Sequence, residues 1–141
     1  MDKHSVLQLK WKRRAGGDGR TQRDYLDFVV DGQSLSEMIG SDLASCLGWF
    51  APAENAKAID RLLLQAPADL LNNRRSLYVC PECGELDCGA VTAVIERSGD
   101  EIIWRDFGLQ NTFDEVITPI NEDLSFSFDR AQYNQALKSS L

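Results

Sequence analysis

Alternating apolar and polar residues at the start of the chain predict two strands. The segment VLQLKWK, at 6–12, alternates without interruption, as a strand with one buried face does. The segment YLDFVV, at 25–30, has the apolar and aromatic composition of a second strand. The glycine-rich AGGDG at 15–19 lies between them, so we expect an antiparallel hairpin around this loop.

Three helices are predicted from capping signals and from apolar residues repeated at three- and four-residue steps. Ser34 and Glu37 form a capping box, so the first helix is expected to begin there, and its apolar face continues to Leu47. A second helix is predicted at 54–65, where a proline follows the last turn. A third is predicted at 130–139, directly after an aspartate that suits the capping position.

Short strand patterns dominate the second half of the chain. We predict strands at 76–80, 89–96, 101–107 and 125–128. The second and third of these are joined by Arg-Ser-Gly-Asp, at 97–100, which is typical of a hairpin turn. The fold class is therefore α+β: an antiparallel sheet of about five to six strands, with two helices inserted after the second strand and a C-terminal helix. The length of 141 residues suits a single domain, 1–141, with one core.

Charge divides the chain into a basic beginning and an acidic remainder. The net charge of −7 is the sum of +5 over residues 1–23 and −12 over residues 24–141. The densest acidic stretch, 82–129, holds twelve carboxylates against only Arg97 and Arg105. Such a field repels nucleic acid and speeds the encounter with basic partners, although solubility alone also explains it.

The basic stretch LKWKRR, at 9–14, permits two further interpretations. Basic residues beside an aromatic one are typical of nucleic-acid binding. On a strand, however, Lys10 and Lys12 share the solvent face while Leu9 and Trp11 point inward. We therefore expect a solvated strand face, or a face that pairs with the protein's own acidic residues, and no nucleic-acid partner.

Three of the four cysteines lie within nine residues, in the segment YVCPECGELDCGAV at 78–91. Cys80 is expected to end one strand and Cys88 to begin the next, with Cys83 in the hairpin loop between them. Three thiolates near one another suggest a zinc ion, but a structural zinc site needs four ligands. The candidates for the fourth are Cys46, His4 and Asp87. A structural Zn²⁺, a redox pair or disulfide, and thiols buried in the hairpin therefore all stay open.

Catalytic groups are scarce in this sequence. The single histidine, His4, excludes most Ser-His-Asp and Cys-His arrangements and leaves few general bases near neutral pH. AGGDG lacks the lysine and hydroxyl residue of a phosphate-binding loop. No apolar run approaches the ~20 residues that span a bilayer, and the first residues lack the apolar core of a secretion signal. We expect a cytoplasmic protein without a membrane partner, and favour a binding protein over an enzyme.

An aromatic residue, an arginine and an acid stand together in Trp104-Arg105-Asp106-Phe107, a mixture found at interface hot spots. The alternative is a core tryptophan with a neighbouring ion pair. Adjacent carboxylates also occur in predicted turns, where they serve solubility or meet a basic partner. The candidate partner-binding residues are Trp104, Asp100, Glu101, Asp106, Asp114 and Glu115.

Four segments of the chain together resemble a family of small bacterial proteins to which no activity is assigned. The segments are LLLQAP at 62–67, LYVCPECGELDCGAVTAVIE at 77–96, IIWRDFGLQN at 102–111 and FSFDRAQYNQAL at 126–137. In that family a Cys-x-x-Cys-Gly-acid-x-x-Cys-Gly segment precedes a Trp-x-Asp-Phe strand and a Phe-Asp-Arg-x-Gln-Tyr helix. The resemblance covers most of residues 24–138 and implies a shared fold. Cys46 lies outside the pattern, which argues against a four-cysteine zinc site.

Two functions from different classes follow as hypotheses. The first is a small acidic binding protein of the inhibitor or immunity type. It would neutralise a basic partner such as a nuclease toxin by occlusion, with its acids imitating a phosphate backbone. The second is a zinc-binding or thiol-redox protein that uses Cys80, Cys83 and Cys88. The first is favoured because the chain lacks evident catalytic groups and its charge is unevenly distributed.

Overall fold

The computed structural model of the chain describes residues 4–40, 42–70, 73–82, 89–110 and 116–139. These residues form an α+β fold of antiparallel sheets and helices, as the sequence pattern predicts. The strands are β1 (Leu7–Arg14), β2 (Arg23–Val30), β3 (Gln33–Ser34), β4 (Ala44–Ser45), β5 (Arg74–Val79), β6 (Ala90–Ser98), β7 (Glu101–Gln110), β8 (Thr118–Pro119) and β9 (Phe126–Asp129). The helices are α1 (Leu35–Ile39), α2 (Pro52–Leu62) and α3 (Arg130–Lys138). None of the helices in these described ranges has the length and apolarity needed to cross a membrane.

The described strands form two antiparallel sheets rather than the single sheet expected. One contains β1, β2 and β3 in that order, and the other runs β4-β5-β6-β7-β8, with β9 paired to β7 as well. Among the described residues, two backbone hydrogen bonds join the sheets or the residues that flank them. The Ser5 amide donates to the Ser127 carbonyl (2.7 Å), and the Leu26 amide donates to the Leu47 carbonyl (3.0 Å). The smaller sheet is therefore fastened to the larger one through β2 and through the residues that precede β1.

Helix α1 is much shorter than the sequence pattern predicts. The Ser34 hydroxyl accepts a hydrogen bond from the Glu37 amide (3.2 Å), so the predicted N-cap is confirmed. Gly40 then adopts a left-handed conformation (φ 66°), which glycine enters without strain, and ends the helix. The prediction of a helix up to Leu47 is therefore wrong, because β4 pairs with β5 in the larger sheet instead.

Helices α2 and α3 lie close to their predicted positions. Pro52 occupies the first position of α2, where its missing amide costs no hydrogen bond. The Asp129 carboxylate accepts a hydrogen bond from the Gln132 amide (3.1 Å), which confirms the predicted cap of α3. The two helices are joined where the Tyr133 hydroxyl of α3 donates to the Leu62 carbonyl at the end of α2 (2.6 Å).

Trp104 lies at the centre of the core and is fully buried. Its ring makes edge-on contacts, with centroids 5.2–6.5 Å away, with Phe28, Phe107, Phe128 and Tyr133. Its indole N–H also donates to the Tyr133 hydroxyl (3.2 Å). Aromatic rings from both sheets and from α3 therefore meet at one point, which fixes the positions of these elements relative to one another.

A β-bulge at Asp106 changes which side chains of β7 face the core. Arg105 pairs with Val94 and Gly108 pairs with Thr92, so two residues of β7 stand opposite one residue of β6. Asp106 takes a left-handed conformation (φ 55°) and its side chain is exposed. Trp104 and Phe107 consequently both point into the core, whereas uninterrupted alternation would place Phe107 on the other face.

Strands β1 and β2 form the predicted hairpin, but the side chain of Trp11 lies outside the core. The two strands pair without interruption along their whole length. Leu7 is fully buried and Leu9 is half-buried, whereas Trp11, on the same face, is 62% exposed. The expectation that Trp11 points inward is wrong because β1 extends past the edge of the core. Its ring lies over Gly48 instead, where an added Cβ would come within 2.9 Å of the ring.

Candidate functional site

Acidic side chains gather on the outer face of β6, β7 and β9, opposite the side that holds the core, and in the exposed turn between β6 and β7. We call this surface the acidic face, and its residues are Glu96, Asp100, Glu101, Asp106 and Asp129. Glu101 stands directly opposite Asp129, at the turn end of the β6–β7 hairpin. Asp106 lies at the bulge, about 17 Å farther along the strand. The carboxylates therefore form an extended row rather than a pocket.

Arg105 is a cation within the acidic face. Its Nε atom donates to Oε1 of Glu96 (2.9 Å), and its Nη1 atom pairs with the Asp106 carboxylate. The hydrogen bond from Arg105 lowers the pKa of Glu96. The three side chains are 38–58% exposed, so these ion pairs are weak and can exchange partners.

The structure brings three of the predicted partner-binding residues onto one surface and removes another from it. Asp100, Glu101 and Asp106 all belong to the acidic face. Trp104, in contrast, is fully buried, so it cannot serve as the exposed anchor predicted for an interface. The core tryptophan beside an ion pair, which was the alternative, is the arrangement found. Asp114 and Glu115 lie outside the described residues.

His4 joins the N-terminal segment to the acidic face. Its Nε2 atom lies 2.9 Å from Oε1 of Glu101. Glu101 stands at the turn end of the β6–β7 hairpin, while the cysteine loop enters β6 at its opposite end. The length of β6 between these ends is about 27 Å of extended chain. His4 is therefore too far away to serve as the fourth ligand of a cysteine site.

Cys46 is buried and is separate from the cysteine loop. Its Sγ atom lies 3.7 Å from the Ser76 hydroxyl, and burial raises the pKa of its thiol to about 11. In the register of β4 against β5, Cys46 falls three residues from the position opposite Cys80, or about 10 Å along the strand. Because sulfur ligands lie about 2.3 Å from a zinc ion, Cys46 is a small core residue rather than a fourth ligand.

The cysteine loop connects β5 to β6, which pair as the predicted hairpin. Cys80 follows the last residue of β5 and is half-buried. Cys83, Asp87 and Cys88 lie outside the described residues. Within the part of the chain that the structure describes, no group of three histidine, cysteine or carboxylate side chains could hold a metal ion. The zinc and redox hypotheses for Cys80, Cys83 and Cys88 therefore remain predictions.

Four basic residues of the N-terminal hairpin are engaged by the protein's own carboxylates. The ion pairs, with N–O distances of 2.6–3.3 Å, join Lys12 to Glu37, Arg13 to Asp24, Arg14 to Asp42 and Glu82, and Arg20 to Asp42. Within the basic stretch, Lys10 is exposed, as one expectation holds, while Lys12, Arg13 and Arg14 pair with acidic residues of the same chain, as the other holds. These cations neutralise the acids around them, so the surplus negative charge is carried elsewhere.

Glu82 fastens the start of the cysteine loop to the N-terminal hairpin. Its carboxylate accepts hydrogen bonds from the Thr21 hydroxyl, from the Thr21 amide (3.0 Å) and from Nη1 of Arg14 (3.1 Å). These hydrogen bonds lower the pKa of Glu82 to about 2, and the bond from the Thr21 hydroxyl has the largest effect. Nearby, Nε of Arg23 donates to the Pro81 carbonyl (2.6 Å). The first residues of the loop are therefore held against β2 and the β1–β2 turn.

A buried arginine beneath the bulge has no counterpart in the sequence predictions. Arg74, the first residue of β5, is 5% exposed. Its Nη2 atom donates to the Asp106 carbonyl (2.5 Å) and its Nε atom donates to Oε1 of Gln110 (2.9 Å). Burial lowers the pKa of this guanidinium. Arg74 thus holds the backbone of Asp106, the bulged residue of the acidic face. The sequence does not predict this contact, because the run Asn-Asn-Arg-Arg at 72–75 is typical of a polar turn.

The fold and the site together define a class: a small α+β protein whose acidic side chains lie along a sheet face. No family model matches this chain, and no curated protein or solved structure matches it either. Support for a function therefore comes from the described surface and from the charge of the chain.

Proposed function

We propose that this chain is a bacterial, cytoplasmic binding protein of the inhibitor or immunity type, which neutralises a basic protein partner, such as a nuclease toxin, by occluding it. One observation carries the proposal. The acidic face presents exposed carboxylates along β7, while cations of the N-terminal hairpin are already engaged by other acids. The net charge of −7 adds attraction for a basic partner as it approaches.

Cationic side chains of the partner would meet the carboxylates of the acidic face. Glu96 and Asp106 share the single guanidinium of Arg105, and their exposure leaves room for a second cation. Ile103 is half-buried on the same face, between Glu101 and Arg105, and offers an apolar contact near the centre. An apolar centre with charged surroundings is the usual arrangement of a protein–protein interface.

Binding kinetics with charge-neutralised variants test the proposal. The probes are the basic proteins encoded by the genes on either side of this one, each purified and immobilised. The test variant removes three charges of the acidic face through Asp100→Asn, Glu101→Gln and Asp106→Asn. The control removes three exposed charges elsewhere through Asp18→Asn, Glu54→Gln and Asp60→Asn. Both variants have a net charge of −7 + 3 = −4, so they differ only in where the charge is lost.

We expect the test variant to associate with its partner about tenfold more slowly at low salt, and the difference to shrink as salt is added. The control should keep the wild-type association rate within about twofold. Equal slowing of both variants would show that only the net charge matters. If no basic neighbour binds at all, the proposed function is wrong.

A further inference from the structure

The outer edge of β1 carries backbone groups that do not take part in the pairing with β2. Because the register of the two strands is unbroken, alternate residues of β1 direct their amide and carbonyl groups away from β2. These residues are Leu7, Leu9, Trp11 and Arg13. Leu26, opposite Trp11, confirms this assignment. Its amide and carbonyl bond to Leu47 and Ser45, on the side of β2 away from β1, so neither group is bonded to Trp11.

Gln132 closes this edge at its first position. Its side-chain amide accepts a hydrogen bond from the Leu7 N–H (3.0 Å) and donates one to the Leu7 carbonyl (2.6 Å). These are the two bonds that a neighbouring strand would make. Farther along, the outward backbone groups of Leu9, Trp11 and Arg13 have no partner among the described residues. The edge is therefore closed at Leu7 and open beyond it.

A groove of about 350 Å³ lies beside this edge, between β1 and α3. One wall is the edge from Leu7 to Lys10. The other wall is a row of side chains from α3 and its C-cap at three- and four-residue steps, formed by Gln132, Gln135, Ala136 and Ser139. An extended chain placed at the strand spacing of about 4.8 Å from β1 would continue the line that the Gln132 amide begins.

We propose that this edge binds an extended segment of another protein, which adds to β1 as a strand and alternates apolar with acidic side chains. The two faces of β1 dictate this alternation. On one face, Leu9 is half-buried and Trp11 is largely exposed, which suits apolar neighbours. On the other face, Lys10 is exposed and takes part in none of the ion pairs found among the described residues, and Lys12 pairs with the exposed Glu37. Acidic side chains of an added strand would stand beside these lysines.

A second copy of this chain suits the edge less well. Antiparallel pairing of two β1 strands about Trp11 would set Lys10 of each copy directly opposite Lys12 of the other, and like charges in that position are destabilising. Lysines at the edge of a sheet are a common protection against such self-pairing. In that register, which uses the open part of the edge, the charge along β1 favours an acidic segment over a second β1.

Peptides of defined sequence test this assignment. The probe is a capped nine-residue peptide of alternating valine and glutamate. One control peptide alternates valine and lysine, and another is the acidic peptide with every second amide N-methylated, which keeps the side chains but removes donors to β1. Amide hydrogen exchange is followed by NMR. At saturation we expect the acidic peptide to slow exchange at Leu9, Trp11 and Arg13 about tenfold, and to leave the amides of Lys10 and Lys12, already bonded to β2, unchanged.

Charge-matched variants test the contribution of Lys10. Lys10→Glu alters the edge, whereas Lys57→Glu alters an exposed lysine of α2, and each makes the net charge more negative by two. We expect Lys10→Glu to weaken the acidic peptide's affinity about fivefold more than Lys57→Glu. Equal losses in both variants, equal binding of either control peptide, or no protection by the acidic peptide would each overturn the assignment. Protection that grows with protein concentration in the absence of peptide would identify a second copy as the occupant, and would overturn it too.

Discussion

Replacing Tyr133 by phenylalanine tests whether the core depends on buried hydrogen bonds that link three elements. The Tyr133 hydroxyl accepts a hydrogen bond from Nε1 of Trp104 (3.2 Å) in β7 and donates one to the Leu62 carbonyl (2.6 Å) in α2, while Tyr133 itself belongs to α3. The Leu62 carbonyl lies in the last turn of its helix, where no helical amide remains to bond it.

The Tyr133→Phe substitution removes one oxygen atom and keeps the ring. Tyr133 and Trp104 are fully buried, so water cannot readily replace the hydroxyl. The indole N–H and the Leu62 carbonyl both lose a partner, at about 1–3 kcal/mol for each unsatisfied buried group. Because the hydroxyl itself no longer has to be buried, we expect the free energy of unfolding to fall by about 2–4 kcal/mol. That is a large part of the roughly 5–15 kcal/mol typical of a domain.

Urea unfolding followed by circular dichroism measures this loss as a lower midpoint with an unchanged slope. Tyr25→Phe is a matched control, because Tyr25 is also buried but its hydroxyl lies 3.4 Å from the Ser36 hydroxyl, at the limit of a hydrogen bond. We expect the control to lose less than about 1 kcal/mol. If the two substitutions cost the same, the Tyr133 hydroxyl does not link the three elements and the reasoning is refuted.

Three further predictions, and one test of the metal hypothesis, concern the N-terminal hairpin and the cysteines. Gly48→Ala should lower stability by about 1–3 kcal/mol, because Gly48 has φ 102° and an added Cβ meets the Trp11 ring. Thermal unfolding of both variants measures this loss. The control is Gly17→Ala, which should leave stability unchanged because no described atom lies within 4 Å of the added Cβ. The folded pKa of Glu82 is about 2, against an ordinary 4.5, chiefly through a threonine hydroxyl. The ionised Glu82 carboxylate therefore contributes its full stability above the ordinary pKa, and this contribution is lost as the pH falls toward the pKa of the folded protein. Acid should consequently destabilise the wild type more than the Glu82→Gln variant. Parallel curves of the unfolding midpoint against pH for the two proteins would contradict this prediction. At pH 8 the native protein should protect Cys46 from a thiol reagent until it unfolds, because burial raises its pKa to about 11, and immediate reaction would contradict that. Metal content and thiol reactivity, measured on the same sample, test the metal hypothesis. One bound zinc ion, whose removal by a chelator exposes the loop thiols, would establish it, and metal-free protein with reactive loop thiols would reject it.

Elements that depend on neighbouring residues could be predicted from the sequence. The caps at Ser34 and Asp129 each need residues only three positions apart, and both are confirmed. The β1–β2 and β6–β7 hairpins depend on alternation on either side of a turn, which is equally local. The predicted end of α1 is wrong because the apolar repeat continues past Gly40, whereas the left-handed conformation of that glycine ends the helix. Strands β3, β4 and β8 are two residues long, too short to show a periodicity.

Features that depend on distant parts of the chain could not be predicted in this way. Trp11 follows the alternation of a buried strand, but its exposure depends on where the core ends. The bulge at Asp106 has no local signal, because Arg74, 32 residues earlier, holds its carbonyl. Within the candidate site, the acidic composition predicts carboxylates at the surface, whereas the burial of Trp104 depends on rings supplied by β2, β9 and α3.

The two bonds between Gln132 and Leu7 join residues that are 125 positions apart, and this separation determines when they can form during synthesis. At roughly 5–20 residues per second, the ribosome adds Gln132 about 6–25 s after it adds Leu7. Throughout that interval the nascent hairpin has neither α3 beside it nor Ser127 to receive the Ser5 amide. The docking of α3 is therefore a late event in folding. Until then, the outward amide and carbonyl of Leu7 are as open as those farther along the edge.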